Sequence, residues 1–157
     1  MKKLDLLTFF SALLLMMSTV YAQRIGVPKI FEGDNERTEM CFAPNQNFNS
    51  IVIAKLSPGS ALPNNNQYHL ELSDESGNFD APTILDTADG PNNGSSSEQD
   101  IVFDNIIIPE EIGGDTYRLR VTTTETTFTS SVSDPIAVYY YRNDLEIRIN
   151  NLSLIHI

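Results

Sequence analysis

The sequence predicts an all-β chain, and three observations carry that prediction. Apolar and polar residues alternate with a period of two through 67–74 and again through 115–125. Further short β-rich runs recur between clusters of Gly, Asn, Ser and Pro, and after Gln23 no segment holds an apolar face at helical spacing. A period of two is what a strand with one buried and one wet face requires. Many short strands at this spacing argue an antiparallel sandwich or barrel rather than alternating strands and helices.

Taken in order, the first element is a leader. Lys2 and Lys3 precede an apolar run from Leu6 to Met17, and Val20-Tyr21-Ala22 follows. This is the charged, apolar and cleavage-site order of a signal peptide, with the cut after Ala22 and the leader at 1–22. The apolar run is short for a bilayer span, so no membrane insertion is expected once the leader is gone. Cys41 lies far beyond the run, which argues against a lipoprotein signal. Loss of Lys2, Lys3 and Asp5 takes the formal net charge from −11 to −12. The chain is expected outside the cell or on its outer surface.

The expected strands are 38–43, 50–56, 67–74, 101–108, 115–125, 136–141 and 145–149. In QYHLELSD, Tyr68, Leu70 and Leu72 share one face, with His69, Glu71 and Ser73 on the other. In DTYRLRVTTTE, Tyr117, Leu119 and Val121 oppose Arg118, Arg120 and Thr122. These six apolar residues, with Ile101 and Phe103, are the expected core. Turn chemistry separates the runs: Ser57-Pro58-Gly59, Pro63 to Asn66, Glu75 to Asn78, Asp89 to Gly94 and Gly113-Gly114-Asp115. Gly and Asn accept positive φ there and Pro presets the bend. The stretch 89–99 reads as an exposed loop with no core duty. Cys41 is the only cysteine. Either it is a buried apolar filler or its partner lies outside this sequence; its residue type favours the filler.

Charge narrows the function classes. With pI near 4.4, the chain lacks the cations that nucleic acid or anionic lipid demands. Of its two histidines, His69 is expected on a wet strand face and His156 in the tail. That leaves no His pair for zinc and no evident base for a Ser nucleophile; neither catalysis nor a cofactor is expected. Asp74 to Asp80 gathers oxygen ligands around a Gly turn, a calcium pattern with Asp74 and Asp80 as candidate ligands, but it lacks EF-hand spacing. A plain hairpin accounts for it better. Glu110-Glu111 reads as a solvated turn. Tyr139-Tyr140-Tyr141 would offer rings to sugars, yet alternation sends Tyr140 to the face opposite Tyr139 and Tyr141, so part of the run belongs to the core. Asn93-Gly94-Ser95 fits the N-glycosylation pattern, which matters only in a host with that machinery.

GGDTYRLRV resembles strand F of an immunoglobulin-like sandwich. That resemblance implies Tyr117 as the corner tyrosine and places Leu119 where antibody domains carry their second Cys, which leaves Cys41 without an intersheet partner. A wider resemblance spans 23–151. YHLELSDESGNFDAPTIL, IIIPEEIGGDTYRLRVTTTE and SDPIAVYYYRNDLEIRINN, in that order, resemble an Ig-like module of flavobacterial type IX secretion cargo, the proteins labelled gliding motility-associated. It implies a non-catalytic surface module in adhesion, spacing or gliding, followed by further domains of the same chain. Surface glycans and other envelope proteins are the implied partners. The alternative is an accessory, carbohydrate-binding module of a secreted hydrolase. Asp86-Thr87-Ala88 resembles the Bacteroidetes O-glycosylation motif, with Thr87 as acceptor. Residues 152–157, LSLIHI, resemble a translated sequencing-adapter end, so they are expected to be a non-native tail of a truncated chain.

Overall fold

The computed structural model describes residues 25–43, 50–92, 94–110, 112–126 and 128–140. The leader and its Ala22 cut, the 145–149 strand, Tyr141 and the 152–157 tail lie outside them. Among the described residues every regular element is a strand: β1 (Lys29–Glu32), β2 (Asn35–Arg37), β3 (Glu39–Phe42), β4 (Ser50–Leu56), β5 (Tyr68–Leu72), β6 (Thr83–Ala88), β7 (Gln99–Phe103), β8 (Gly113–Tyr117), β9 (Leu119–Thr123) and β10 (Ile136–Tyr140). They form a four-stranded sheet ordered β2-β1-β4-β7 and two three-stranded sheets ordered β3-β10-β8 and β6-β5-β9. Neighbours are antiparallel except β3 and β10, which run parallel with Met40 opposite Val138.

Alternation produces the core. Val52, Ala54 and Leu56 point inward from β4, and Ile101 and Phe103 from β7. Tyr68, Leu70, Leu72, Leu119 and Val121 come from β5 and β9, and Met40, Ile136 and Val138 from β3 and β10. With Ile30 they form one buried cluster drawn from all three sheets. Each such large side chain contributes about 1.5–3 kcal/mol on burial. Every residue expected in the core is buried, Tyr117 included.

Serine hydroxyls explain why 115–125 is two strands. The run breaks at Arg118, whose N–H donates to Ser73 Oγ at 2.9 Å while Ser73 N–H donates to Arg118 O at 2.9 Å. The same exchange occurs twice on the other edge of β9. Leu119 N–H donates to Ser133 Oγ and Val121 N–H to Ser130 Oγ, each at 2.8 Å; the two serine N–H groups return to Leu119 O and Val121 O at 2.9 and 2.8 Å. Each of the three hydroxyls then donates to the carbonyl of the next residue, Asp74, Ser131 or Asp134. On that edge of β9 the buried strand therefore satisfies its polar backbone without a regular neighbouring strand.

Several expectations need correction. Cys41 is exposed: β3 alternates from buried Met40, which turns Cys41 outward. The 101–108 run leaves the sheet after Phe103. There Asn105 N–H donates to Asp86 Oδ2 at 3.0 Å and Ile107 N–H to Leu85 O at 2.9 Å, carrying the chain from β7 across to β6. The 89–99 loop does have a core duty. Pro91 O accepts the Tyr68 hydroxyl at 2.9 Å, and Gly90 lies so close to the Tyr68 ring that a Cβ there would overlap it. Glu71 and Ser73, expected on a wet face, are 8% and 3% exposed. β1, β2 and β6 were not expected as strands.

Candidate functional site

Three connections meet at one end of the sheets: 57–67 after β4, 89–98 after β6 and 124–135 after β9. Asparagines lock them together. Asn92 Nδ2 donates to Asn66 O at 2.9 Å, and Leu62 N–H donates to Asn92 O at 3.1 Å. Asn66, itself 2% exposed, accepts Glu125 N–H on its Oδ1 at 3.3 Å. Gln67 ties the other two connections by donating from Nε2 to Asp89 Oδ1 at 2.9 Å and from its N–H to Thr124 Oγ1 at 2.9 Å. Gly59 N–H donates to Ser95 O at 2.7 Å. The described tips (Asn64, Asn65, Ser96, Ser97, Glu98, Thr124 and Glu125) are exposed. No Lys or Arg occurs in 57–67, 89–98 or 124–135. This end is a preset polar surface of amides, hydroxyls and a few carboxylates; loops held by a rigid scaffold are where binding residues concentrate.

A second polar constellation sits on the outer face of β5 and β9. Glu71 lies directly across from Arg120 and accepts Arg120 Nε–H at 2.6 Å on one oxygen and the Thr122 hydroxyl at 2.9 Å on the other. The guanidinium carbon lies 4.3 Å from the centre of the Phe79 ring. Burial of Glu71 is sustained because both of its oxygens are bonded.

No protein-family model, curated protein or solved structure matches this chain.

The residues singled out from sequence are spread over the fold. Asp74 Oδ1 accepts the N–H groups of Ser76 at 2.9 Å and Asn78 at 2.8 Å, closing a turn in which Gly77 has φ of 82°. One of its oxygens is thus engaged by backbone, and Asp80 is exposed further on. Among the described residues no group of three or more His, Cys, Asp or Glu is placed to hold a metal. Thr87 is exposed on the edge strand β6, with its N–H on Asp86 Oδ1 at 2.7 Å. His69 is half-buried between its cross-strand neighbours Thr87 and Thr122. Glu110 is exposed; Glu111 and Asn93 lie outside the described residues.

Tyr117 is buried with its ring against Gly114. The phenol seen bonding to backbone is Tyr68, whose pKa burial pushes up to about 12. Tyr139 is 44% exposed; its hydroxyl bonds to the Asp115 carboxylate, which raises its pKa above the ordinary phenol value. Tyr140 packs against the core cluster instead, as alternation expects. Sequence reasoning missed the asparagine locks and the Glu71–Arg120 pair. Asn64 to Asn66 and Asn92-Asn93 were legible only as turn chemistry, because the lock bonds span 26 and 59 residues.

Proposed function

We propose that this chain is a non-catalytic Ig-like module at the outer cell surface, part of a larger exported protein and serving adhesion, spacing or a gliding-associated structure. The observation that carries the Ig-like part is the strand order. The β2-β1-β4-β7 sheet shares one buried cluster with the β3-β10-β8 and β6-β5-β9 sheets; those two are joined through the single run 113–123, and β3 runs parallel to β10. An Ig-like sandwich has this division of strands. The surface location rests on the leader pattern, the acidic charge and the resemblance to flavobacterial secretion cargo. Protease treatment and antibody labelling of intact cells test it: an epitope at Ser96 accessible without lysis supports the reading, and protection until lysis defeats it.

An accessory carbohydrate-binding module of a secreted hydrolase is the second reading. The amide- and hydroxyl-rich loop end favours it, since such groups match sugar hydroxyls, and without cations it cannot neutralise a phosphate's charge. Binding of residues 23–151 to a glycan array, lost on Asn65→Ala with Ser96→Ala, would favour it. A blank array would remove it.

A further inference from the structure

Between Ile51 and Ala54, β4 is apolar on both of its faces. Val52, Ala54 and Leu56 point into the core, while Ile51 and Ile53 point outward and are only half-buried. Register sets Ile51 directly beside Phe31 of β1 and Ile53 directly beside Val102 of β7, and Val102 is 43% exposed. The outer face of the four-stranded sheet thus carries a contiguous block of Phe31, Ile51, Ile53 and Val102. A strand wet on one side alternates, whereas a strand covered on both sides reads as a continuous apolar run; Ile51 to Ala54 is such a run, and it ends at exposed Lys55.

We propose that this face packs against the same face of a second copy of the chain. The rim argues for a copy. Lys29 pairs with Glu36 at 2.9 Å and Lys55 pairs with Asp100, so each cation at the block's edge is matched by an acid. Elsewhere a chain of net charge −11 repels its copies; here that repulsion is locally relieved. A cationic partner would gain more almost anywhere else on so acidic a surface. An apolar face with its own neutral rim fits best, and a second copy supplies one in a twofold, isologous contact. The block spans three strands spaced about 4.8 Å apart and, with its rim, about five residues along them, a footprint of about 14 by 17 Å. That falls below the roughly 800 Å² per partner of a standard interface, so the dimer is weak and concentration-dependent.

Sedimentation equilibrium on residues 23–157, which include every described residue, tests this between about 10 μM and 1 mM, the range a small interface implies. The average mass should climb toward the dimer. It should climb further in about 1 M NaCl, because salt screens the net repulsion and leaves apolar burial intact. Ile53→Lys should hold the chain monomeric, while Ile107→Lys, at a site 74% exposed and outside this block, should dimerise as the parent does. If circular dichroism shows Ile53→Lys unfolded, Val102→Thr decides and should weaken association severalfold. A parent that stays monomeric throughout, or a folded Ile53→Lys or Val102→Thr that dimerises like the parent, overturns the proposal.

Discussion

Ser133 and Leu119 exchange two hydrogen bonds, one through backbone and one through the serine hydroxyl, at 2.9 and 2.8 Å. The hydroxyl does what a strand carbonyl would do: it accepts the Leu119 N–H in a buried site. Ser133→Ala leaves that N–H without an acceptor. Stability should fall by about 1–3 kcal/mol, read from urea melts with unchanged slope. Ser130→Ala should behave alike through Val121, whereas exposed Ser131→Ala should stay within about 0.5 kcal/mol.

Glu71 and Arg120 should be coupled. Their side chains are 11% and 24% exposed, so the pair is neither a solvated surface contact nor a fully buried one. Glu71→Ala and Arg120→Ala, singly and together, form a double-mutant cycle with an expected coupling of about 1–2 kcal/mol. Thr122→Val should cost less, because Arg120 still holds Glu71. Additive single losses would show the pair to be energetically idle.

Gly90 is expected to resist any side chain. A methyl there overlaps the Tyr68 ring, and overpacking of a filled core costs about 1–3 kcal/mol. Gly90→Ala should lower the melting temperature and change the near-ultraviolet tyrosine signal. Gly59→Ala has open space around its Cβ but a φ of 75°, so its smaller loss should arise from backbone strain alone.

Tyr68 should make the fold sensitive to alkali. Its phenol titrates near 10.0 when unfolded and about 12 when folded. Between those values the folded state keeps a proton that the unfolded state has lost, so stability falls as pH rises through that window. The slope for this one group is at most about 1.4 kcal/mol per pH unit. Tyr68→Phe, although less stable through loss of the Pro91 bond, should show a shallower decline above pH 10.0 in denaturant melts.

The core was legible because it obeys one rule. Tyr68, Leu70, Leu72, Leu119 and Val121 alternate with polar residues, and a strand turns every second side chain inward. The rule misled at Glu71, because it assumes the second face is wet; here Arg120, Thr122 and Phe79 cover that face. It was never applied to β1 and β2, which are only four and three residues long. The Ser130 and Ser133 contacts were invisible for another reason. A serine that replaces a backbone acceptor has the same letter as a serine facing solvent, and 129–134 reads as a polar loop. At the loop end the asparagines marked turns correctly, but their partners lie as far away as Asn66 is from Asn92, and no local pattern encodes such pairing.

The parallel β3–β10 ladder carries a mechanical consequence. It joins a strand near the start of the described chain to the last described strand, with both pointing the same way. Tension applied at opposite ends of those two strands would load their interstrand bonds in shear, all together, instead of unzipping them one at a time. A molecule tethered between a surface and a moving attachment would therefore yield abruptly at a high force, with that ladder as its clamp.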